Sequence, residues 1–394
     1  MKNPYAWIDH SLEVIHRAHW SRSVKPIDAS QAQGTELLIN GQPVINFASN
    51  DYLGLATHPQ VQAAAIAAVD AFGTGATGSR LLSGQRPIHR QLEEAIAHWK
   101  RTEAALVFSS GYLANLSTIQ AIVGPRDLIV ADIYNHSSLK NGAKLSGAEV
   151  LEFSHGSMAD LEELLVNNRA NYRRCLIVTD GVFSMDGDLC HLPEIFALSQ
   201  RHDSMVLIDE AHATGVVGQT GSGCMEHFQY LGSPVIQIGT LSKALGSLGG
   251  YVAGSQSLIE FLRNRGSGWI YTTGLSPGDC AAALAAIQLC RSQPAYLQSL
   301  WQNISALKEG LMSIASGSDQ KLSSLPTDSA IACLEFDKPE TVLALSQSLL
   351  ERGCFVPAIR PPTVPTSRLR ISLMATHSEA QIELLISALL EMLV

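Results

Sequence analysis

The chain has 394 residues, in which Asp and Glu (36) outnumber Lys and Arg (27), and its net charge at pH 7 is −9. Such an acidic chain has no basic surface to hold a phosphate backbone or an anionic lipid layer, so neither a nucleic acid nor a membrane is expected as a partner. With 46% hydrophobic and only 16% charged residues, a disordered chain is excluded, and at the usual ~150 residues per domain about two domains are expected.

The seven cysteines form no CxxC pair, and most of them lie in apolar runs such as residues 174–178. This usage is typical of buried thiols in a reducing compartment, so no metal site is expected. The N-terminal residues lack the uninterrupted apolar segment of a signal peptide, and no stretch reaches the ~20 apolar residues of a membrane span. We therefore expect a cytoplasmic protein.

Residues 1–45 are predicted to be an N-terminal extension, with a short amphipathic stretch around Trp7 and a strand and turn at 37–41. Residues 46–285 are predicted to form the large domain. Short apolar runs alternate there with helix-length segments, which is typical of a mostly parallel sheet covered by helices on both faces. The predicted strands are 105–108, 128–130, 150–153, 176–178, 205–208, 235–238 and 251–253.

Residues 286–394 begin with helical segments and continue with predicted strands at 330–334, 354–356 and 369–373. The last segment starts with residues 378–381, a match to a helix capping box, and an apolar stripe from Ile382 to Leu389 follows. We predict a smaller α+β domain here, so the fold class is α/β with a smaller α+β C-terminal domain.

Residues 73–78 match the pattern G-x-G-x-x-G, which suggests a dinucleotide site at first sight. That fingerprint must follow a strand and precede an acidic residue at a strand end. Here residues 63–69 favour a helix, and Glu93 and Glu94 lie in a helical pattern. We therefore predict a loop over 73–84 whose glycines let the backbone and Arg80 approach a ligand closely.

Two charged residues follow predicted parallel strands, at the sheet edge where ligands of open α/β sheets bind. Asp209 ends an apolar strand, where a carboxylate is costly unless it has a cationic partner; the alternative is a simple cap for the next helix. Lys243 follows another buried strand in an apolar, glycine-rich setting, which lowers the pKa of a lysine towards the neutral amine of Schiff-base chemistry. The alternative for Lys243 is a solvated loop.

Two further segments complete this edge. Gly111 and Tyr112 open a helix directly after a strand, so that free N–H groups could hold an anion while Tyr112 covers a ring. His136 follows another strand and could stack on a planar ring, although an ordinary surface histidine is the alternative. Together with Asp209 and Lys243, these residues describe a pyridoxal phosphate (PLP) site.

In these residues and in the motifs given below, the chain resembles the α-oxoamine synthases, a branch of the fold type I PLP-dependent transferases. The resemblance covers nearly the whole chain and implies the fold type I architecture. Its motifs are at residues 47–55, 73–84, 135–139, 181–188, 209–212, 240–243, 359–365 and 368–370. Asp180 stands where the family pattern has Glu.

The resemblance implies roles for individual residues. Lys243 would hold the cofactor aldehyde as a Schiff base and move the substrate α-proton, Asp209 would keep the pyridine nitrogen protonated, and His136 would stack on the ring. A homodimer with shared sites is also implied, because a Ser or Thr of the partner subunit reaches the phosphate in this family. The other cofactor-binding residues implied are Gly111, Tyr112, Ser184, His212, Thr240, Thr272 and Thr273.

The implied substrates are L-alanine and a pimeloyl thioester, carried on coenzyme A or on an acyl carrier protein, which join in a decarboxylative condensation. Arg370 would clamp the amino acid carboxylate, for which a planar guanidinium is suited. Arg22, Arg360 and Thr363 would face the acyl substrate. Asn50 is also assigned to substrate binding.

Three alternatives compete with this assignment. A sister synthase would join glycine or another amino acid to a different acyl thioester, and the segment 359–365 argues against it by resemblance. A non-catalytic subunit or regulator would not need Lys243, and no basic N-terminal DNA-binding domain is present in the sequence. A nicotinamide-dependent dehydrogenase is disfavoured by the context of residues 73–78.

Overall fold

The computed structural model describes residues 3–18, 20–22, 24, 26–28, 34–317 and 328–393. Its strands are β1 (Ile27–Asp28), β2 (Glu36–Ile39), β3 (Gln42–Asn46), β4 (Ala104–Phe108), β5 (Leu128–Asp132), β6 (Glu149–Phe153), β7 (Cys175–Asp180), β8 (Met205–Asp209), β9 (Ile236–Thr240), β10 (Gly250–Gly254), β11 (Ile331–Phe336), β12 (Cys354–Phe355), β13 (Ala358–Ile359) and β14 (Ser367–Ser372).

The helices alternate with these strands over most of the chain. They are α1 (Ala6–Arg17), α2 (Pro59–Phe72), α3 (Pro87–Lys100), α4 (Gly111–Ile122), α5 (Ser137–Ser146), α6 (Met158–Asn168), α7 (Leu192–Arg201), α8 (Cys224–His227), α9 (Gln256–Arg265), α10 (Ser267–Ile270), α11 (Pro277–Ser292), α12 (Ala295–Gly317), α13 (Pro339–Glu351) and α14 (Glu379–Leu393). A 3₁₀ turn at Arg169–Asn171 follows α6. Among the described helices, none is both long and apolar enough to cross a bilayer.

A seven-stranded sheet in the order β4-β10-β9-β8-β7-β5-β6 forms the centre of the fold. Strands β5 to β9 pair in parallel, whereas β10 runs antiparallel to both β4 and β9. Every residue of β5 and β7 is buried, which explains why both strands are continuous apolar runs in the sequence. The predicted mostly parallel sheet and its seven strands are confirmed.

The two faces of this sheet pack against different layers. Val130 and Ile177 face the core that α2, α3, α11, α12 and α14 cover, and this core continues into the small sheet. Ile129 and Leu176, one residue earlier in each strand, face the core covered by α4, α5 and α9. Burial on both faces leaves the ends of the strands as the place for polar chemistry.

The small sheet is antiparallel, in the order β11-β14-β13. Helix α14 begins with the predicted capping box: Ser378 Oγ accepts a hydrogen bond from the Gln381 N–H (3.3 Å), and Gln381 Oε1 accepts one from the Ser378 N–H (3.1 Å). The predicted strand at 354–356 is present as β12, but it joins a different sheet.

This third sheet has the order β1-β2-β3-β12, with Cys354 opposite Ile45 in a parallel pair. The N-terminal strands are therefore joined to the C-terminal part of the chain. The partner of a short strand is set by a long-range contact, which the local sequence of 354–356 does not contain. The domain bounds 1–45, 46–285 and 286–394 stay a prediction.

The glycine-rich loop 73–84 follows helix α2 and not a strand, which agrees with the sequence argument against a dinucleotide site. Arg80 differs from the expectation. Its guanidinium is buried and bonds both carboxylate oxygens of Glu93, at 3.0 and 3.1 Å. Because Arg80 forms a buried ion pair with Glu93, it anchors the loop to α3 and does not face a ligand site within this chain.

Candidate active site

The ends of β8 and β9 lie side by side because these strands pair in parallel. Asp209 is the last residue of β8, and Lys243 follows the end of β9 by three residues. The Glu210 N–H donates to the Ile238 carbonyl (2.6 Å), which holds the two strand ends in register. The sheet thus brings the predicted carboxylate and the predicted amine to one edge.

The Lys243 amine is held in a polar but poorly hydrated environment, and its side chain is half-buried. Burial lowers the pKa of Lys243 to about 8, although the negative charge of Asp209 raises it, and the positive charge of Arg370 lowers it further. A substantial fraction of the amine is therefore neutral near physiological pH. This is the form that attacks a carbonyl carbon or accepts a proton.

A chain of hydrogen bonds leads away from this amine. Lys243 Nζ lies 2.8 Å from His212 Nε2, and His212 Nδ1 lies 2.6 Å from the Tyr52 hydroxyl. Burial and the charge of Lys243 lower the pKa of His212 well below its usual range, so the imidazole is neutral. Tyr52 donates its single proton to Asn50 Oδ1 (3.2 Å), which leaves its oxygen to accept from His212 Nδ1. With this assignment of protons, His212 Nε2 accepts from Lys243.

Asp209 is buried and held by two donors. Its Oδ2 accepts from Asn115 Nδ2 (2.6 Å), and its Oδ1 accepts from the Ala211 N–H (2.9 Å). Burial and the charge of Asp209 together raise the pKa of the neighbouring Asp180 well above its usual range. Asp180 Oδ2 accepts from the His136 N–H (2.7 Å), which fixes the start of α5 at the same edge.

His136 and Tyr112 lie on neighbouring elements of the site. Their rings meet edge to face with centroids 6.5 Å apart, and His136 Nδ1 lies 2.8 Å from Ser138 Oγ. The side chain of His136 is exposed. The two rings are therefore placed to flank a planar ligand beside Lys243 and Asp209.

The start of α4 packs tightly against the end of β9. A Cβ atom added to Gly111 would lie 3.3 Å from Thr240 Cβ, and one added to Gly250 would lie 2.3 Å from the Gly111 nitrogen. Ser110 caps this helix by accepting a hydrogen bond from the Leu113 N–H (3.1 Å). A helix N-terminus with a close glycine backbone is suited to hold a phosphate.

Arg370 is buried in β14 and reaches the site from the small sheet. Its Nε donates to the Ser184 carbonyl (2.6 Å), its Nη2 to Asn50 Oδ1 (3.2 Å) and its Nη1 to Ser372 Oγ (2.9 Å). The structure thus brings together Arg370, Asn50 and Ser184, which the sequence analysis assigned separately to substrate and cofactor. These bonds fix the plane of the guanidinium.

Near these residues lies a cavity of about 480 Å³. It lies between residues 133–135 and 184–186, with the proline-rich segment 361–365 as a further wall. Arg22 Nη2 donates to Thr363 Oγ1 (3.2 Å), and the Thr363 N–H donates to the Arg360 carbonyl (3.0 Å). The three residues predicted to face an acyl substrate therefore lie together.

Thr272 and Thr273 lie apart from this group. Thr273 pairs with Ser79 in an isolated antiparallel bridge beside the glycine-rich loop, and its side chain is exposed. Within the described part of the chain, no hydrogen bond joins either threonine to the residues around Lys243. Their place agrees with a role towards a second copy of the chain, which stays a prediction.

Sequence reasoning missed Tyr52 and Asn115, which orient His212 and Asp209. Asn115 lies four residues after Gly111 on the same helix, so its position one turn from the predicted anion site was a usable signal. Tyr52 belongs to the motif at 47–55, but its burial and its contact with His212 arise only on folding. Over the described residues, no group of three or more His, Cys, Asp or Glu side chains is placed to hold a metal ion.

The chain is similar to known proteins over almost its entire length. Residues 42–389 match the model of the family "Aminotransferase class I and II". A relative from Acaryochloris marina (59% identical over 389 residues, 98% of each chain) and one from Nostoc sp. (58% over 389 residues, 99% of each chain) are both provisionally named 8-amino-7-oxononanoate synthase.

Solved structures with the same fold include two different synthases. A serine palmitoyltransferase from Sphingomonas wittichii has a TM-score of 0.92 at 33% identity, covering 99% of this chain and 98% of that one. A serine palmitoyltransferase from S. paucimobilis, solved with bound PLP and myriocin, has a TM-score of 0.92 at 31% identity with the same coverage. An 8-amino-7-oxononanoate synthase from Francisella tularensis has a TM-score of 0.76 at 27% identity, covering 89% of this chain and 97% of that one.

The cofactor is PLP, and the residues present fit it. Lys243 offers a partly neutral amine for the aldehyde, and Asp209 offers a buried carboxylate for the pyridine nitrogen. The N-terminus of α4 offers N–H groups for the phosphate. Asn115 Nδ2 donates to Asp209, and the buried Oδ1 of the same amide has no hydrogen-bond partner within the described chain.

We predict that Asp209→Asn lowers the pKa of Lys243 below about 8, because it removes a negative charge that favours the protonated amine. The cofactor-free protein is labelled with acetic anhydride across a range of pH, and the Lys243 peptide is quantified by mass spectrometry. The midpoint should move to lower pH. Asp203→Asn, at a fully exposed carboxylate, is the control and should leave it in place. An unchanged midpoint in Asp209→Asn would show that the two groups do not interact.

Proposed function

We propose, from the premise that this chain belongs to the class I and II aminotransferase family of fold type I PLP enzymes, that it is an 8-amino-7-oxononanoate synthase of biotin biosynthesis. The reaction joins L-alanine to a pimeloyl thioester. The observation that carries the proposal is that Arg370, whose charge acts on Lys243, bonds the carbonyl of Ser184, a residue that lines the neighbouring cavity. Relatives at 58–59% identity with this provisional name support it.

Bound PLP supplies an electron sink that stabilises negative charge on the α-carbon of the amino acid. Lys243 Nζ, with its pKa near 8, accepts the α-proton as a neutral amine and donates a proton back at the end of the reaction. Asp209 is oriented by Asn115 and the Ala211 N–H to keep a proton on the pyridine nitrogen. His212 stays neutral, and its Nε2 is the accepting nitrogen that faces Lys243 Nζ.

Arg370 binds the carboxylate of L-alanine through charge-assisted hydrogen bonds. Its bonds to Ser184 and Asn50 fix its orientation before the substrate arrives. The amino acid is thereby held with its α-carbon towards Lys243. His136 and Tyr112 would flank the cofactor ring, and Gly111 and Thr240 would hold its phosphate.

The acyl substrate occupies the cavity between residues 133–135, 184–186 and 361–365. The new carbon–carbon bond joins the α-carbon of alanine to the thioester carbonyl carbon, and the carbon–sulfur bond breaks to release the thiol. The carboxylate then leaves as carbon dioxide, and the returned proton completes the amino ketone. Arg22, whose Nη2 bonds Thr363 Oγ1, would provide positive charge for the distal carboxylate of the pimeloyl chain, and Arg360 is assigned the same role by the resemblance of segment 359–365.

The functional unit is proposed to be a homodimer with shared sites. Thr272 and Thr273 lie next to Tyr271, which is 85% exposed, and Leu82 of the glycine-rich loop is equally exposed. The Ser79–Thr273 bridge brings these two segments together, and an exposed apolar patch is typical of surfaces that contact another chain. In such a dimer, each copy would place its threonines at the phosphate of the other.

Mixing two inactive variants tests this arrangement. Lys243→Ala and the double variant Thr272→Ala/Thr273→Ala are each expected to be inactive alone, whereas subunit exchange should restore part of the activity. Recovery follows because each hybrid has one site with an intact lysine and intact partner threonines. If verified hybrids stay inactive, the threonines do not act across the subunits.

The reaction itself is tested by product identification. The PLP-loaded protein is mixed with L-alanine and pimeloyl thioester, each thioester being supplied on coenzyme A and on acyl carrier protein, and the products are identified by mass spectrometry. We expect an amino-oxononanoate product from this pair. Glycine with acetyl thioester tests a 2-amino-3-ketobutyrate ligase, and L-serine with palmitoyl thioester tests the activity named for the solved structures at TM-score 0.92. A product from either of these pairs and none from the first would replace the proposed substrates.

A further inference from the structure

His155 follows β6 and lies between two loops of the active site. The first is residues 132–136, which ends in His136 and is called the His136 loop. The second is residues 183–188, which contains Ser184 and is called the Ser184 loop. His155 is in neither loop and is not among the residues assigned above to cofactor or substrates.

Each loop contributes one carboxylate to the imidazole of His155. Nδ1 lies 3.1 Å from both oxygens of Asp132 in the His136 loop, and Nε2 lies 3.1 Å from Oδ2 of Asp188 in the Ser184 loop. Each loop also contributes an aromatic ring. Tyr134 stacks on the imidazole at 4.5 Å between centroids, and Phe183 meets it edge-on at 4.4 Å.

The imidazole carries a positive charge. Both nitrogens face carboxylate oxygens, so both must donate, which only the protonated ring can do. Burial opposes the charge, but hydrogen bonds to Asp132 and Asp188 and their negative charges raise the pKa of His155 to about 10. Asp186 is a further acidic neighbour. Burial raises the pKa of its carboxyl, whereas the positive charges of Arg368 and His155 lower it. His155 is thus a cation between two anionic loops at physiological pH.

Both loops line the cavity beside Ser184, the first through residues 133–135 and the second through residues 184–186. We propose that His155 is a positioning residue, whose charged ring ties the His136 loop to the Ser184 loop and so sets the width of the acyl cavity. The inference rests on the proposed function, because it assigns that cavity to the acyl group.

The Ser184 loop also has anchors that do not involve His155. Arg370 holds the Ser184 carbonyl, and Arg368 bonds Asp186 Oδ1 (2.7 Å) and the Met185 carbonyl (2.6 Å). These contacts remain when His155 is altered, so the carboxylate clamp keeps its support. Loss of the His155 tie should therefore lower kcat/KM for the acyl thioester and have far less effect on the KM for L-alanine.

The test is His155→Gln, which keeps a polar side chain of similar reach but cannot carry the charge or bond both carboxylates. A misplacement of the acyl group by ~1 Å predicts a fall of about 100-fold in kcat/KM for the thioester. The KM for L-alanine and the PLP content should stay close to those of the parent protein. His202→Gln is the control, because the hydrogen bonds of His202 within the described chain are made by its backbone, with Leu198, Arg169 and Ser204.

Amide hydrogen exchange provides a readout that needs no substrate. In His155→Gln, residues 133–136 and 184–187 should exchange faster, while α8 (Cys224–His227) should be unchanged. Asp188→Asn removes one of the two ion pairs and leaves the other, so it tests the tie if His155→Gln does not fold. It should accelerate exchange in the Ser184 loop and lower kcat/KM for the thioester, as His155→Gln does.

The outcomes separate this inference from the proposed function. A selective fall of kcat/KM for the thioester with faster exchange in the two loops supports the tie, whereas equal effects on both substrates, or unchanged exchange in these loops, overturn it. If the parent protein makes no product from L-alanine and pimeloyl thioester, the proposed function fails. Hydrogen exchange then still decides whether His155 joins the loops.

Discussion

A lysine amine reacts as a nucleophile only in its neutral form, and burial together with nearby charges determines how much of it is neutral. For Lys243, burial lowers the pKa to about 8, while the negative charge of Asp209 raises it and the positive charge of Arg370 lowers it. The parallel pairing of β8 and β9 puts Asp209 and Lys243 at one edge. The rest of the site is arranged around this balance of charge and burial.

The residues that are hydrogen-bonded in series with Lys243 come from distant parts of the chain. Asn50 and Tyr52 come from the segment after β3, His212 from the end of β8 and Arg370 from the small sheet, yet hydrogen bonds join them to Lys243 in one series. The amine and the guanidinium are therefore coupled through a fixed polar network and through their charges. A site of this kind needs all three sheets in place, which accounts for similarity to relatives over nearly the whole chain.

Much of this arrangement could be predicted from local sequence. Strands such as β5 and β7 were predictable because burial on both faces requires continuous apolar runs, and Asp209 and Lys243 stood out as charges at the ends of such runs. The partner of β12 and the contacts of Tyr52 and His155 were not predictable, because they depend on segments far apart in the chain. Arg80 was expected near a ligand, but its buried partner Glu93 lies in the next helix and becomes visible only after folding.

Borohydride reduction of the PLP-loaded protein, followed by peptide mapping, tests most directly whether Lys243 is the reactive amine. We predict that the reduced pyridoxyl group is recovered on Lys243 alone and that Lys243→Ala retains no reducible attachment. Lys144→Ala, at an exposed lysine of α5, is the matched control and should be labelled like the parent protein. Recovery of the group on another lysine, or a reducible attachment in Lys243→Ala, would contradict the role assigned to this residue.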